Sequence, residues 1–251
     1  MLEKQIRFSL LFGLAILFFI PFATSAGPPF LTDDPEPLSW RHAEFLIAPQ
    51  ILNTIDRFSL FAPGFEFNYG LTSEVMTHII VPLIVTKVDS AQAAFSFGDV
   101  ELGLKYRFLD ESDHFPQVGI FPHLEIPVGD SSKGAGSGAF EVFLPVWLQK
   151  SFGPWTTYGG GGLWLQFSAG RPYFWFFGWE IQRDMSERFM LGAELFAATG
   201  SFESASAEVG FNIGGSYDFS KSHHALFSLG RDFTGPNTFL LYLAYQWTFQ
   251  L

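Results

Sequence analysis

The residues of this sequence that could do chemistry are mainly carboxylates, and they alternate with apolar residues. In residues 98–109 the charged positions are Asp99, Glu101, Lys105 and Arg107, and the positions between them are Val, Leu, Leu, Tyr and Phe. A helix would scatter these charges around its circumference, whereas a strand places all four on one face. The pattern therefore predicts a strand with one polar and one apolar face.

The same alternation along the whole chain collects one set of charged side chains on the polar face. Its carboxylates are Glu44, Glu66, Asp99, Glu101, Glu125, Glu141, Glu180, Glu194 and Glu208, and its cations are Lys105 and Arg107. An unpaired carboxylate in a dry interior costs several kcal/mol. This face must therefore line water, hold protons on some carboxylates, or contain cations.

Two interpretations of this polar face remain open. The interior of a β-barrel is polar in general, but an excess of carboxylates also describes an acidic passage that disfavours anions. Bulky residues on the same face of their strands, such as Phe143 and Trp147, either fill the interior or line a path for apolar and aromatic solutes. The predicted lining of the passage is Glu44, Glu66, Asp99, Glu101, Lys105, Arg107, His123, Glu125, Glu141, Trp147, Glu180, Glu194, Glu208 and Tyr242.

No catalytic, metal or cofactor site is predicted. The chain has no cysteine, which excludes thiolate nucleophiles and Cys-ligated metal centres. A barrel lipid hydrolase needs a Ser–His pair on its outer wall, and no such pair occurs at strand spacing. The formal charge of −11 argues against a nucleic-acid partner.

The elements that must position these residues are about 12 antiparallel strands, each long enough to cross a bilayer when tilted. The expected ranges are 43–51, 59–69, 75–86, 97–109, 117–128, 139–150, 155–166, 173–183, 188–198, 206–219, 224–232 and 238–249. Short turns follow every second strand. Aromatic residues at the ends of different strands, such as Tyr106, Tyr217 and Trp247, predict a girdle at the membrane surface.

The first 26 residues have the pattern of a secretory signal peptide. Lys4 and Arg7 precede an apolar run at 8–22, and small residues follow at 23–26. The run of 15 residues is shorter than the roughly 20 that a spanning helix needs, which favours cleavage after Ala26 over a retained anchor. The predicted organisation is a signal peptide at 1–26, an extended periplasmic segment at 27–42 and a transmembrane, all-β antiparallel barrel at 43–251.

Four passages carry a resemblance to a known family. They are Gly27 to Pro37, Gly98 to Tyr106, Leu144 to Gly162 and Phe177 to Glu180. Together they resemble the outer-membrane family labelled for the MetA pathway of phenol degradation, and the resemblance covers nearly the whole mature chain. It implies an outer-membrane barrel linked to the uptake of aromatic compounds. It supplies no catalytic or ligand-binding residue.

These observations predict a bacterial outer-membrane channel or transporter-like protein for small apolar or aromatic solutes. A non-conducting structural or surface-binding barrel is the alternative, and a barrel lipid hydrolase is a third class. The expected partners are outer-membrane lipid, a small solute and the barrel-assembly machinery, because the last strand, 245–249, ends in alternating aromatics. We expect a monomer.

Overall fold

The computed structural model describes residues 28–54, 57–88, 92–168, 173–200 and 207–251. The predicted signal peptide lies outside these residues. The strands are β1 (His42–Asn53), β2 (Arg57–Gly70), β3 (Val75–Val88), β4 (Ala94–Phe97 and Val100–Leu109), β5 (Gln117–Ile120 and His123–Ile126), β6 (Glu141–Phe152), β7 (Trp155–Gln166), β8 (Phe174–Ser186), β9 (Phe189–Ala198), β10 (Glu208–Ser220), β11 (His223–Thr234) and β12 (Phe239–Gln250). A short 3-10 turn, Ser131–Lys133, lies between β5 and β6.

The twelve strands of the described chain form one closed antiparallel barrel. Each strand pairs with its neighbours in sequence, and β12 pairs with β1, with Trp247 opposite Phe45. The predicted barrel of about 12 strands is confirmed, and the glycine-interrupted segment 155–166 is strand β7. Two strands are broken in the middle, β4 at Gly98 and β5 at Pro122. Pro122 has no N–H to give to the sheet, which accounts for the second break.

The barrel has two different ends. The short connections 71–74, 110–116, 153–154, 187–188 and 221–222 lie at one end, together with the start of β1 and the end of β12. We call this the turn end and the opposite one the loop end. In the described residues no helix has the length and apolar character needed to span a membrane.

The outward face is apolar, as a lipid-facing wall must be. Leu195 and Ile213, near the middle of their strands, are 61% and 56% exposed. Near the turn end, outward rings pair along single strands: Tyr106 with Phe108, Tyr217 with Phe219, and Trp247 with Phe249, with centroids 6.3, 5.4 and 4.4 Å apart. These pairs form the predicted aromatic girdle.

The inward face is tightly filled on the β5–β8 side. Phe121, Phe143 and Trp147 are buried together with Met76, and the rings of Phe143 and Trp164 stack at 4.6 Å. Trp147 lies opposite Gly160 in the sheet. A Cβ at Gly160 would lie 2.0 Å from the Val146 carbonyl oxygen and 3.1 Å from the Trp147 ring. Glycine at this position therefore lets the indole lie against the backbone of β7.

The segment before β1 runs inside the barrel. Residues 28–39, which we call the plug, contact the inward face of β4, β5, β8, β9 and β11, and Thr32 and Asp34 are fully buried. We expected an extended periplasmic segment at 27–42, and the position of the plug differs from this expectation. The physical reason is that its carboxylates and backbone N–H groups meet oppositely charged or accepting groups on the barrel wall.

Candidate functional site: the plugged lumen

A buried lysine on β4 holds the middle of the plug. The Lys105 ammonium lies 2.9 Å from an Asp33 carboxylate oxygen and 3.4 Å from one of Asp34. Lys105 is 3% exposed and Asp34 is 0% exposed, so neither charge could be buried without the other except at a cost of several kcal/mol. The two side chains therefore fix the depth of the plug.

A second polar contact lies nearer the turn end. The Arg107 guanidinium lies 2.7 Å from Glu36 and also pairs with Asp110 at 2.9 Å. The side-chain amide of Gln117 donates to the other oxygen of Glu36. Because Lys105 and Arg107 are alternate residues of one strand, the spacing of Asp33, Asp34 and Glu36 in the plug matches the spacing of the two cations.

The opposite wall binds the plug through its backbone. The Glu194 carboxylate accepts hydrogen bonds from the N–H groups of Leu31 and Thr32, both at 2.8 Å. The Ser228 hydroxyl donates to the Pro29 carbonyl oxygen at 2.6 Å. These bonds satisfy backbone groups that the plug, which forms no sheet, would otherwise bury without partners.

Glycines on the wall make room for the plug. A Cβ at Gly178 of β8 would lie 2.0 Å from the Thr32 hydroxyl oxygen and 3.0 Å from its Cβ. A Cβ at Gly192 of β9 would lie 3.0 Å from the Phe30 ring, and one at Gly119 of β5 would lie 3.0 Å from Pro35. Larger residues at these positions would collide with the seated plug.

Three of the predicted lining residues belong to a polar network beside the plug. The Asn68 amide donates to Glu66 at 2.8 Å, and Glu101 lies 2.9 Å from His78 Nε2 and 3.3 Å from His123 Nδ1. His78 Nδ1 lies 2.7 Å from the Asn68 carbonyl oxygen. Both nitrogens of His78 thus face acceptors, and the hydrogen bonding is complete only when both carry hydrogen.

Other predicted residues lie toward the loop end. Asp99 accepts hydrogen bonds from the N–H groups of Gly129 and Ser137, at 2.9 and 2.6 Å, and so anchors the loop between β5 and β6. Glu125 lies opposite both Glu101 and Glu141 in the sheet, and Gln166 donates to Glu141 at 2.8 Å. In the anchored loop, the Lys133 ammonium lowers the pKa of Asp130 to about 2.

The remaining predicted residues differ in their surroundings. Glu180 is fully buried beside the plug, and neither of its carboxylate oxygens has a hydrogen-bond partner. Glu208 faces inward at the loop end of β10, near Asp232. Trp147 is part of the buried aromatic cluster, and Tyr242 packs against the group of Leu46 and Leu226. The passage role of all these residues stays a prediction.

Cavities lie beside the plug, and two of them are described by their lining residues. One of about 400 Å³ lies at the turn end, lined by the plug and by residues of β1, β9, β10, β11 and β12. The other, of about 140 Å³, lies deeper, between the plug and residues of β1 to β5. Pro28, Glu36 and Glu44 line both cavities. In the part of the chain that the structure describes, no group of three or more His, Asp or Glu side chains is arranged to hold a metal ion.

The plug is the feature that the sequence predicts least well. For the proline-rich, acidic stretch 28–39 an extended periplasmic arm is the prediction, and a plugging role is an alternative that we did not adopt. A usable signal was present: three acids in the segment match two inward cations two residues apart on β4, and inward glycines recur at Gly119, Gly178 and Gly192. Gln117, Asn212 and Ser228 were also absent from the predicted lining.

Comparison with known proteins agrees with this architecture. An outer membrane channel from Pseudomonas putida F1 superposes with a TM-score of 0.69 at 17% identity, over 86% of this chain and 98% of that one. The KdgM porin in complex with disordered oligogalacturonate gives 0.58 at 10% identity, over 82% and 99%. The translocator domain of the autotransporter NalP from Neisseria meningitidis gives 0.53 at 7% identity, over 83% and 88%. At these identities the likeness shows the fold alone.

A search of curated proteins by sequence returns no match. A family model does match, over residues 58–249, which is most of the barrel. The barrel's apolar outer wall and its aromatic girdle are those of a bacterial outer-membrane protein. The chain belongs to the family described as "Putative MetA-pathway of phenol degradation".

Proposed function

We propose that the chain is an outer-membrane channel for small apolar or aromatic solutes, and that the plug closes it at rest. The observation that carries the proposal is the way the plug is held. Its main contacts with the wall are ion pairs and hydrogen bonds to Lys105, Arg107 and Glu194. Such contacts can exchange for water when the plug moves, with little net loss.

The closed state also contains a buried carboxylate whose burial is costly. Glu180 is fully buried beside the plug without a hydrogen bond. Withdrawal of the plug would let water reach this carboxylate and remove the cost of its burial. The polar surface under the plug therefore supports a second, hydrated state of the lumen.

The proposed solutes follow from what surrounds the cavities. Their walls combine apolar groups such as Phe30, Leu38 and Met190 with carboxylates such as Glu44. Small binding sites of this kind accept an apolar body and orient one polar group. The family description, which names phenol degradation, is consistent with aromatic solutes. We propose no catalysis, a monomeric barrel and insertion by the barrel-assembly machinery.

A non-conducting barrel is the competing function, and the occupied lumen favours it. Purified full-length chain and a variant lacking residues 28–39 would be compared by planar-bilayer conductance and by liposome swelling with phenols, sugars and fatty acids. The channel proposal expects uptake of small phenols by the full-length chain and larger, less selective currents without the plug. Absence of current and of uptake in both forms would leave only the structural role.

A hydrolase has one local feature in its favour. His224 Nδ1 lies 2.6 Å from Asp218, and its Nε2 lies 3.3 Å from the Thr248 hydroxyl. The same hydroxyl lies 3.3 Å from the Lys221 carbonyl oxygen, so the three residues also tie β10, β11 and β12 together at the turn end. We expect no lipid turnover, and turnover that disappears in Thr248→Val would overturn that expectation.

A further inference from the structure

The deep cavity has the size of one small ring compound. Its volume is about 140 Å³, and a protein cavity of roughly 150 Å³ accommodates benzene. Its lining includes the apolar side chains of Phe30, Met76, Ile80 and Phe121. Because the rest of the lining is strongly polar, an occupant must also carry a group that bonds to it.

The charges around this cavity do not balance. Its lining includes the carboxylates Asp33, Glu36, Glu44, Glu66 and Glu101, and its cationic groups are Lys105, His78 and His123. Glu36 is paired with Arg107, and Asp34 shares Lys105 with Asp33. With Glu36 set aside and Asp34 included, five carboxylates, when ionised, face three cationic groups even with both histidines protonated. The cations are also already engaged: Lys105 by Asp33 and Asp34, and both histidines by Glu101.

The least compensated carboxylate is Glu44, and Glu66 beside it shares His78 with Glu101. Both side chains are more than nine-tenths buried. Within the described chain Glu44 makes no ion pair, and its hydrogen-bond partners are the amides of Gln246 and Asn68. Glu66 has Asn68 at 2.8 Å and His78 at 3.5 Å. The two glutamates occupy diagonal positions on β1 and β2, within reach of one shared group.

The apolar residues of the lining can contact an aromatic ring that carries a positive charge. The Lys105 ammonium already lies over the face of Phe121, 4.8 Å from its centroid, so this ring accepts a positive charge nearby. Phe30 and Met76, which are 9% and 5% exposed, complete a surface for an aromatic body. Glu44 also lines the larger cavity at the turn end, so it stands where the two spaces meet.

We propose that the deep cavity is a binding site for a small aromatic ammonium compound, with the ammonium between Glu44 and Glu66 and the ring against Met76 and Phe121. This deepens the proposed function, because it names the class of solute that the lumen selects. A neutral ring of the same size lacks the charge that these carboxylates require, and an aromatic carboxylate adds to the repulsion.

Calorimetric titration of the purified full chain in detergent at pH 7 tests the site with three probes of one size: benzylamine, benzyl alcohol and benzoate. Benzylamine is expected to bind at least about tenfold more tightly than benzyl alcohol, since both can donate a hydrogen bond to a carboxylate but only the ammonium also supplies a compensating positive charge. Benzoate is expected to bind most weakly. Equal binding of the three, or tighter binding of the alcohol or the acid, would overturn the proposal.

Variants locate the site. Glu44→Gln, alone or combined with Glu66→Gln, is expected to remove the preference for benzylamine. Glu187→Gln, which changes a carboxylate in the turn between β8 and β9 outside the lumen, should preserve it. Ile80→Trp fills the cavity and is expected to abolish binding of every probe. Heat-modifiable migration verifies that each variant is folded. A preference that survives in Glu44→Gln/Glu66→Gln, or binding that survives in Ile80→Trp, would contradict the assignment.

The binding assay is independent of transport. Binding of benzylamine without any solute uptake in liposomes would retain the site and remove the channel function. Uptake of phenols without a preference for benzylamine would retain the channel and remove the ammonium site.

Discussion

Single side chains determine whether the lumen is occupied. Lys105 is the central one, because it is buried and carries two partners from the plug. Removing one member of a buried ion pair leaves the others charged and unpaired, which costs about 3–5 kcal/mol. The seated plug should therefore depend more on this lysine than on the partly exposed Arg107, whose pairs are worth less.

Lys105→Gln is expected to release the plug. The chain has no cysteine, so Pro35→Cys would provide one labelling site at a fully buried plug position. Maleimide labelling of Pro35→Cys should be at least about tenfold faster when Lys105→Gln is added, since each 1.4 kcal/mol is a factor of ten.

The control for this prediction is Lys150→Gln. It removes an ion pair with Glu111, outside the plug contacts, and the labelling rate should stay unchanged. Equal labelling rates for Lys105→Gln and the background chain would mean that the plug does not depend on this pair.

At the scale of elements, the barrel wall is shaped around the plug. Strands β5, β8 and β9 each present an inward glycine where the plug passes, while β6 presents Trp147 against the glycine-rich β7. The interior is thus divided into a filled aromatic part and a part that holds the plug. The wall and the plug are two closely packed surfaces, and adding or removing one methyl group in such a contact changes its stability.

Gly178→Ala is expected to loosen the plug without unfolding the barrel. The new Cβ would lie 2.0 Å from the Thr32 hydroxyl oxygen, and the plug rather than the hydrogen-bonded strand should move. The labelling rate of Pro35→Cys should rise, and Gly178→Val should raise it further.

Gly64→Ala is the matched control. Its Cβ would meet only the Ala48 carbonyl oxygen at 3.4 Å, an ordinary contact. Unchanged labelling in both Gly178 variants would show that the plug can shift around this point without leaving.

The strands could be predicted from sequence because alternation is a local property. In residues 98–109 the alternation of charged and apolar residues alone shows which side chains share a face. The plug could not, because its position depends on contacts with residues more than 70 positions away, such as Asp33 with Lys105 and Thr32 with Glu194. Proline-rich, acidic segments show no periodicity, so composition alone favoured an external arm.

The candidate lining was predictable only as a set of inward positions. The alternation along each strand predicts that Asp99 and Trp147 point inward. It does not predict their partners, which are the backbone of a loop for Asp99 and an aromatic cluster for Trp147. Which inward residues face a cavity depends on the plug and on the broken strands β4 and β5. Of these features, only the break in β5 has a signature in its own strand, at Pro122.

On the scale of the whole molecule, the lipid around the barrel determines where the outer wall tolerates a charge. Ile213 lies near the middle of β10 and is 56% exposed, and Met185 lies at the turn end of β8 and is 53% exposed. Equal exposure in water would make the two positions equivalent. In a bilayer they differ, because one faces hydrocarbon and the other faces the interface.

Ile213→Arg is expected to destabilise the barrel by about 2–4 kcal/mol, and Met185→Arg by about 0–1 kcal/mol, since the cost of a buried charge falls toward the interface. Denaturant unfolding in lipid vesicles measures both values. Equal costs at the two positions would contradict the predicted depth of the strands in the membrane.

The plug bears acidic residues and no lysine or arginine between positions 28 and 39, and it joins β1 at one mouth of the barrel. A transmembrane voltage therefore exerts a directed force on it: one polarity drives the segment deeper, and the reverse polarity draws it out. Current through this protein should consequently rectify, and a recording made at a single sign of the potential would miss half of its behaviour.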